Sequence, residues 1–301
     1  MQRYAGIDIG TNSMRLLLAE LEDGKFLSRT KETITSRIGE AVDRKGIITP
    51  GGMERSIESF EALAHKAKEF RAIKTFAIAT SALRDAENRE EFIQGVFERT
   101  GVKIQVIDGK REAGLGYRGV LLGLESPKKA QLKTLLVDVG GGSTEFILGL
   151  GEKLDRLTSM DIGAVRMTDR LGENDRELYY TVEKSFKNIL SDLKNKEIDQ
   201  LIGIGGSITS LAAIHQKLQV YDMEKVHNYI LSLEQIHKIK QNLLGMTLEE
   251  RKQVRGLNPN RADIIIAGII ILLVIMEGLA IDKITVSEYD NLEGLIYEEI
   301  Q

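Results

Sequence analysis

The amino-acid sequence predicts an α/β protein built from two similar domains. Strand-like and helix-like segments alternate along most of its 301 residues, a pattern typical of sheets covered by helices. One device occurs in both halves: an apolar strand, an aspartate, a turn with glycine and serine, and a second apolar strand. Its aspartate is Asp8 in the first half and Asp138 in the second. With 42% hydrophobic residues, a chain of this length can bury the cores of two domains.

The first third of the chain is predicted to contain five strands and two helices. The strands are predicted at residues 4–9, 14–20, 25–35, 75–79 and 103–107. Helical periodicity covers residues 53–70, and a second helix is predicted at 88–100, where Asn88 would cap the N-terminus.

The middle of the chain repeats this plan, and the last third is mostly helical. The predicted elements are strands at 134–139, 144–148 and 154–159, a charged helical region at 173–196, a strand at 200–204, a closing strand at 283–287 and a terminal helix after Asn291. A domain boundary is placed near the turn at Ser126-Pro127. We therefore expect one domain of residues 1–120, completed by residues 295–301, and a second domain of residues 121–294.

One segment is apolar enough to suggest a membrane span. Residues 264–281 read IIIAGIIILLVIMEGLAI and include Glu277. A lone segment of this length is also typical of a helix buried in a globular domain. The core helix is the better interpretation.

Composition and the N-terminus exclude several classes of protein. A formal net charge of −4 argues against a nucleic-acid coat, which needs a net basic surface. The absence of cysteine excludes disulfides, thiolate metal sites and cysteine nucleophiles. The N-terminal MQRYAGIDIG enters a strand without a secretory apolar region, so a cytoplasmic protein is expected.

The glycine turns indicate phosphate binding. Consecutive glycines present backbone N–H groups with no side chains in the way, and such a nest binds phosphate oxygens. Asp138 would offer a carboxylate to a hard cation such as Mg²⁺, and the hydroxyls of Ser143 and Thr144 would add donors. A tight hairpin whose glycines only permit positive φ angles is the alternative. The occurrence of two copies, each with Asp before and a hydroxyl after, favours phosphate binding.

The quoted motifs carry a family resemblance over essentially the whole chain. DIGTNSMRL and DVGGGSTEF resemble the paired phosphate loops of the actin, Hsp70 and sugar-kinase superfamily. ATSALRDAEN, GKREA, GIGGSITSLAA and NPNRADIIIAG, in that order, resemble the exopolyphosphatase and guanosine pentaphosphate phosphatase (Ppx/GppA) family. The resemblance implies two duplicated actin-like, or ribonuclease H-like, domains with the active site in an interdomain cleft.

The resemblance also implies roles for individual residues. Glu112, in GKREA, matches the base that activates the attacking water. The matching metal and water-organising carboxylates are Asp138 and Glu145, and Asp8 is their counterpart in the first domain. The predicted substrate-binding residues are Thr11, Asn12, Ser13, Arg84, Gly140, Gly141, Gly142, Ser143, Thr144, Gly205, Gly206 and Ser207.

Two segments in the C-terminal half need separate comment: one has two possible roles, and the other departs from the family's sequence motif. The turn at Gly205–Ser207 precedes a helix, whose N-terminus favours an anion, although capping by Ser207 is the competing interpretation. Farther on, the family usually has an aspartate, a glycine and a Leu-Arg-Glu-Gly run. This chain has Glu288 and Asp290 at the first two positions and no arginine before Glu293.

The resemblance implies a phosphohydrolase that uses Mg²⁺, or another divalent cation, to remove terminal phosphate from linear polyphosphate. Three alternatives remain: hydrolysis of guanosine pentaphosphate, a non-catalytic protein that binds polyphosphate or the alarmone, and, with least support, a sugar or acid kinase. The expected partners are polyphosphate or guanosine penta- or tetraphosphate, with neither nucleic acid nor a membrane. The sequence does not determine the oligomeric state, and a homodimer is one assembly to test.

Overall fold

A computed structural model of the chain describes residues 1–124 and 131–301 and divides them into two compact units. The first unit comprises Met1–Leu122 and Asp290–Gln301, and the second comprises Gly123–Tyr289. The C-terminal segment thus belongs with the N-terminal unit from Asp290 rather than from residue 295. The turn predicted at Ser126-Pro127 lies outside the described residues, and the cleft predicted between the domains stays a prediction.

The first unit contains a five-stranded mixed sheet. Its strands are β1 (Gln2–Ile9), β2 (Met14–Glu22), β3 (Lys25–Ile34), β4 (Lys74–Ala79) and β5 (Ile104–Val106). They lie in the order β3-β2-β1-β4-β5. β1, β2 and β3 are antiparallel, while β4 runs parallel to β1 and β5 parallel to β4. The carboxyl ends of β1 and β4 consequently meet at one edge of the sheet.

Helices cover both faces of this sheet. The described helices of the first unit are α1 (Val42–Lys45), α2 (Pro50–Glu69), α3 (Ser81–Asp85), α4 (Arg89–Thr100), α5 (Gly109–Leu122) and the C-terminal α13 (Asn291–Ile300). Side chains alternate along β1, so that Ala5, Ile7 and Ile9 join one apolar cluster with α2 and α4. Tyr4 joins the other cluster, with Leu295 of α13.

One predicted helix cap is wrong in its chemistry. α4 begins after Asn88, but the Asn88 side chain makes no capping hydrogen bond. Its Oδ1 instead accepts from the N–H of Ile48 at 2.8 Å, and its Nδ2 donates to the Ile48 carbonyl at 3.0 Å. Asn88 therefore secures a distant loop, because both polar atoms of the amide are used there.

The second unit repeats the plan of the first with a six-stranded sheet. Its strands are β6 (Lys133–Val139), β7 (Thr144–Leu150), β8 (Lys153–Met160), β9 (Gln200–Ile204), β10 (Ile230–Ser232) and β11 (Lys283–Val286). The order is β10-β11-β9-β6-β7-β8. The meander β6-β7-β8, with β9 parallel to β6, corresponds to β1-β2-β3 with β4 parallel to β1. Among the strands that the structure describes, only the short edge strand β10 was not predicted from the sequence.

The helices of the second unit surround one helix that is almost entirely apolar. Its described helices are α6 (Ala164–Leu171), α7 (Asp175–Lys194), α8 (Gly206–His215), α9 (Met223–Val226), α10 (Leu233–Leu244), α11 (Leu248–Arg251) and α12 (Ile265–Leu279), and a 3₁₀ turn covers Pro259–Arg261. Every residue of α12 from Ile265 to Met276 is buried. It packs against α6, α7, α8 and α10. As expected, the most apolar segment is a core helix, and none of the described helices has the length and hydropathy to cross a membrane.

Candidate active site

The two hairpins that carry the aspartates present different charges. In the second unit Asp138 of β6 lies directly opposite Glu145 of β7 in the antiparallel ladder. In the first unit Asp8 of β1 lies opposite Arg15 of β2. Directly opposed residues on one face of a sheet are close neighbours. The second hairpin therefore joins two carboxylates, whereas the first joins a carboxylate to a guanidinium.

Hydrogen bonds to its carbonyl groups fix the orientation of the glycine loop in the second unit. The carbonyls of Gly140, Gly141 and Gly142 each accept a hydrogen bond from the beginning of α6. Across a trans peptide the N–H of the next residue points opposite to the carbonyl. The N–H groups of Gly141, Gly142 and Ser143 consequently point away from α6, and none donates to a backbone carbonyl in the described chain. This is the nest of donors that the sequence predicted.

The corresponding loop of the first unit is built in the same way. The carbonyl of Thr11 accepts from the N–H of Gly39, and that of Asn12 accepts from the N–H of Arg37, both at 2.9 Å. The N–H groups of Asn12 and Ser13 therefore face the opposite side of the loop. The Asn12 side chain donates to the Ser13 hydroxyl at 3.0 Å, which fixes the two side chains relative to each other.

Thr144 is less suited to substrate than the residues before it. Its hydroxyl donates to the carbonyl of Ile162 at 2.5 Å, and the residue is fully buried. The hydroxyl proton is thus engaged inside the unit, contrary to the expectation that it adds a donor for phosphate.

The carboxylate pair of the second unit fits a divalent cation. Asp138 and Glu145 are both buried, and two adjacent buried carboxylates repel each other unless a cation or a proton lies near them. The hydroxyl of Ser159 donates to Glu145 Oε1 at 2.7 Å and fixes that side chain. No group of three or more His, Cys, Asp or Glu side chains assembles among the described residues. Mg²⁺ is commonly held by one or two carboxylates together with waters and substrate phosphates, so this donor set suffices.

Asp8 lies in a different electrostatic setting. Its Oδ2 is paired with Arg15, whose other nitrogen, Nη1, donates to Asp290 at 2.7 Å. Its Oδ1 is buried and accepts no hydrogen bond within the described residues. Such an oxygen can accept from a water molecule or serve a metal, while the Arg15 charge already balances that of the carboxylate. The metal role of Asp8 stays a prediction.

Glu112 and Arg84 are brought together in the first unit. Glu112 lies in the first turn of α5 and is buried. Arg84, at the end of α3, donates from Nη1 to Glu112 Oε2 at 3.3 Å and to the Ile107 carbonyl at 3.1 Å. The Thr80 N–H donates to the carbonyl of Ile9 at 3.2 Å, which ties the segment carrying Arg84 to the end of β1.

The third glycine turn lies beside the carboxylate pair. Gly205 follows β9, next to β6, and has a φ of +97° that favours glycine. A Cβ on Gly205 would lie 2.8 Å from Asp138 Oδ1, so the turn approaches this carboxylate closely. A Cβ on Gly206 would overlap the Arg261 guanidinium. Arg261 thus lies over the turn.

The capping role considered for Ser207 is wrong. The N-cap of α8 is Gly205, and no side chain makes a capping hydrogen bond there. Ser207 is buried, and its hydroxyl lies so close to Gly268 of α12 that a Cβ there would overlap it. Ser207 therefore packs α8 against α12, and its role in substrate binding stays a prediction.

Sequence reasoning missed the residues that support the two glycine-containing loops after β1 and β6. Gly39, Gly163 and Arg166 contact the loop carbonyls or lie against them. A signal was present, because the dipeptide Ile-Gly occurs at 38–39 and again at 162–163, after the third strand of each meander. The repeat is too short to stand out without the sheets that align it.

Comparison with known proteins gives consistent results. A model of the Ppx/GppA phosphatase family matches residues 17–301. The bifunctional 3-dehydroquinate synthase/phosphatase of Fusobacterium nucleatum is 35% identical over 99% of this chain, which spans 46% of that protein. Exopolyphosphatase 2 of Mycobacterium tuberculosis is 32% identical over 98% of both chains. The crystal structure of the Aquifex aeolicus Ppx/GppA family member is 32% identical, covers 99% of this chain and 97% of its own, and superimposes with a TM-score of 0.80.

Proposed function

The chain belongs to the Ppx/GppA phosphatase family, and we propose that it is an exopolyphosphatase that releases orthophosphate from the end of linear polyphosphate. Membership confirms the resemblance carried by the sequence motifs and the α/β fold of two actin-like domains. The relative named as an exopolyphosphatase is matched over nearly its full length, which supports this substrate. The bifunctional relative is matched over only 46% of its length, so the activities of that whole protein are not carried over to this chain.

The observation that carries the proposal is the glycine loop of residues 140–143 beside the pair Asp138 and Glu145. Outward N–H groups bind phosphate oxygens, and two carboxylates hold the cation that accompanies them. A polyphosphate end offers a dense set of oxygens to both. A carbonyl or sugar substrate has fewer anionic oxygens to offer to the N–H groups and to the cation.

The chain's own residues supply the remaining parts of a hydrolytic reaction. A divalent cation bound by Asp138 and Glu145 would neutralise charge on the phosphate oxygens. Arg84 is suited to hold the transferred phosphoryl group, because a guanidinium can bind two of its oxygens. Glu112 accepts a proton as the water oxygen bonds to the terminal phosphorus. The bond from that phosphorus to the bridging oxygen breaks, and the shortened chain leaves with the bridging oxygen.

The first test is phosphate release by purified protein with Mg²⁺ and long polyphosphate, short polyphosphate or guanosine pentaphosphate. Glu112→Gln keeps the size of the side chain but cannot accept the proton. We expect it to lower kcat by at least about 100-fold and to leave polyphosphate binding within a few fold of wild type.

The matched control is Glu91→Gln, which makes the same change at an exposed position in the first turn of α4. It should release phosphate at the wild-type rate. Faster hydrolysis of guanosine pentaphosphate than of either polyphosphate would replace the proposed substrate. Binding of polyphosphate without phosphate release by wild type would reject the hydrolase.

A further inference from the structure

The segment that follows β8 is docked on the glycine loop. The N–H of Ala164 donates to the carbonyl of Gly140 at 2.9 Å, and the N–H of Val165 donates to that of Gly141 at 2.8 Å. These are first-turn groups of α6, which have no partner inside their own helix. The loop carbonyls are therefore the partners that the N-terminus of α6 uses.

The Arg166 side chain completes this arrangement. Its Nε donates to the carbonyl of Gly142 at 2.7 Å, and its backbone N–H donates to Gly141 at 3.1 Å. The carbonyl of Ser143 accepts from the Gly140 N–H at 3.0 Å. All four carbonyls of the loop are thus engaged within the unit, which fixes the plane of each peptide group.

We propose that Arg166 is a positioning residue for phosphate, which acts by holding the loop peptides with their N–H groups toward the substrate. The inference rests on the proposed function of the loop. Release of the Gly142 carbonyl would let the peptide joining Gly142 to Ser143 rotate, because glycine tolerates most backbone conformations. One of the three donors would then no longer point at the phosphate.

The docked helix also strengthens the loop donors. The N-terminus of a helix carries a partial positive charge, and peptide groups in a hydrogen-bonded chain polarise one another. A peptide whose carbonyl accepts from α6 presents a more positive N–H on its other side. The partial positive charge at the N-terminus of α6 thus acts on the phosphate by polarising the loop peptides, without direct contact between α6 and the phosphate.

The first unit supports the inference independently. Its loop carbonyls at Thr11 and Asn12 are held by the N–H groups of Gly39 and Arg37. A Cβ on Gly39 would lie 3.0 Å from the Thr11 carbonyl oxygen, and one on Gly163 would lie 2.6 Å from the carbonyl carbon of Gly142. Each unit therefore places a glycine where a covering segment meets its loop, and the arrangement occurs twice in otherwise different sequences.

The test is calorimetric binding of tripolyphosphate, in the presence of Mg²⁺, to the full-length chain with Arg166 or its variants, each also carrying Glu112→Gln so that the ligand is bound but not hydrolysed. Arg166→Ala should weaken binding at least tenfold, and Arg166→Lys should recover part of the loss. The matched control is Arg176→Ala, which removes the same charge at an exposed position of α7, and it should bind as the chain with Arg166 does. In chains that keep Glu112, KM in phosphate release should rise more than kcat falls, which a general loss of folded protein would not produce.

Unchanged tripolyphosphate binding by Arg166→Ala overturns the inference. If that variant does not fold, unchanged binding by Arg166→Met, whose side chain has similar length but cannot donate to the Gly142 carbonyl, overturns it instead. Binding by the Glu112→Gln chain without hydrolysis by wild type would reject the proposed function while leaving the comparison of Arg166 variants valid. Failure of the Glu112→Gln chain to bind tripolyphosphate would reject both.

Discussion

At the scale of single residues, one substitution distinguishes the duplicated hairpins. Position 145 carries a glutamate opposite Asp138, while the equivalent position 15 carries an arginine opposite Asp8. Two carboxylates together attract a cation, whereas a carboxylate already paired with arginine does so far less. The two hairpins therefore differ in charge: one carries two opposed carboxylates, for which we propose a metal, and the other pairs its aspartate with an arginine.

We predict that Glu145→Gln raises the Mg²⁺ concentration needed for half-maximal phosphate release by about tenfold or more, because one anionic ligand becomes neutral. Magnesium titrations of phosphate release measure this directly. Glu152→Gln, at an exposed turn between β7 and β8, is the control and should leave the titration unchanged. An unaltered titration for Glu145→Gln would remove Glu145 from the metal site.

At the scale of elements, the start of α13 is held by a buried charge network. Asp290 and Glu293 form a capping box there. Asp290 pairs with Arg15 at 2.7 Å and with Lys31 at 2.8 Å, while Glu293 pairs with Arg29 at 2.7 Å. The departure from the family pattern at Asp290 thus gives an acidic helix cap whose partners lie on β2 and β3.

This network makes stability depend on pH. Burial alone raises the pKa of Asp290, but the charges of Arg15 and Lys31 outweigh burial and hold that pKa well below its usual range. A pKa lower in the folded than in the unfolded chain gives stability that is complete above the unfolded value of about 3.9 and declines as the pH falls below it.

We predict that Asp290→Asn lowers the free energy of unfolding by about 3 kcal/mol at pH 7, because it removes the carboxylate that Arg15 and Lys31 share and leaves Arg15 with Asp8 and Lys31 with Glu293. The loss should shrink as the pH falls below about 4, since the carboxyl of the unfolded wild-type chain then binds a proton while the folded one stays ionised, which lowers the wild-type stability. Denaturant titrations at several pH values measure it. Asp23→Asn, in the exposed turn between β2 and β3, serves as control, and an equal, pH-independent loss for both variants would contradict the assignment.

At the scale of the whole molecule, the first unit is closed by the end of the chain. Leu292, Leu295 and Ile296 of α13 are buried in the cluster that includes Tyr4 of β1 and Leu115 of α5. A Cβ on Gly294 would lie 2.8 Å from the carbonyl carbon of Leu115, so the two helices touch through backbone. The C-terminal helix is therefore part of the N-terminal core.

We predict that deletion of residues 290–301 unfolds the first unit. Each of the three buried side chains contributes about 1.5–3 kcal/mol, and the sum approaches the whole stability of a typical domain. Hydrogen exchange should show loss of amide protection in β1 and α5. Deletion of Gln301 alone should leave protection intact, and intact protection after the longer deletion would show that the unit does not need α13.

The His227 side chain contacts residues near both ends of the second unit's segment. His227 Nε2 lies 3.0 Å from the Gly123 carbonyl, and its Nδ1 accepts from the Glu288 N–H at 3.2 Å. His227 is thus hydrogen-bonded to Gly123, the first residue of the second unit, and to Glu288, the residue before its last. Neutral histidine with its proton on Nε2 satisfies both bonds.

Much of this arrangement follows from local sequence. Apolar periodicity and turn residues located nearly every strand, the buried α12 and the glycine-containing loops after β1 and β6, because each depends on neighbours a few positions away. The same reasoning failed for the side chain of Asn88, whose preference for capping a helix lost to the backbone groups of Ile48.

The sequence by itself therefore determined the α/β fold, its duplication and the residue types of the site. Only the tertiary structure decided which way those residues face. Arg166 reaches Gly142 across 24 positions and Asp290 reaches Arg15 across 275. Contacts of that range exist only once the sheets have fixed the separate segments side by side, because the free energy of each contact depends on burial and orientation that no local pattern encodes.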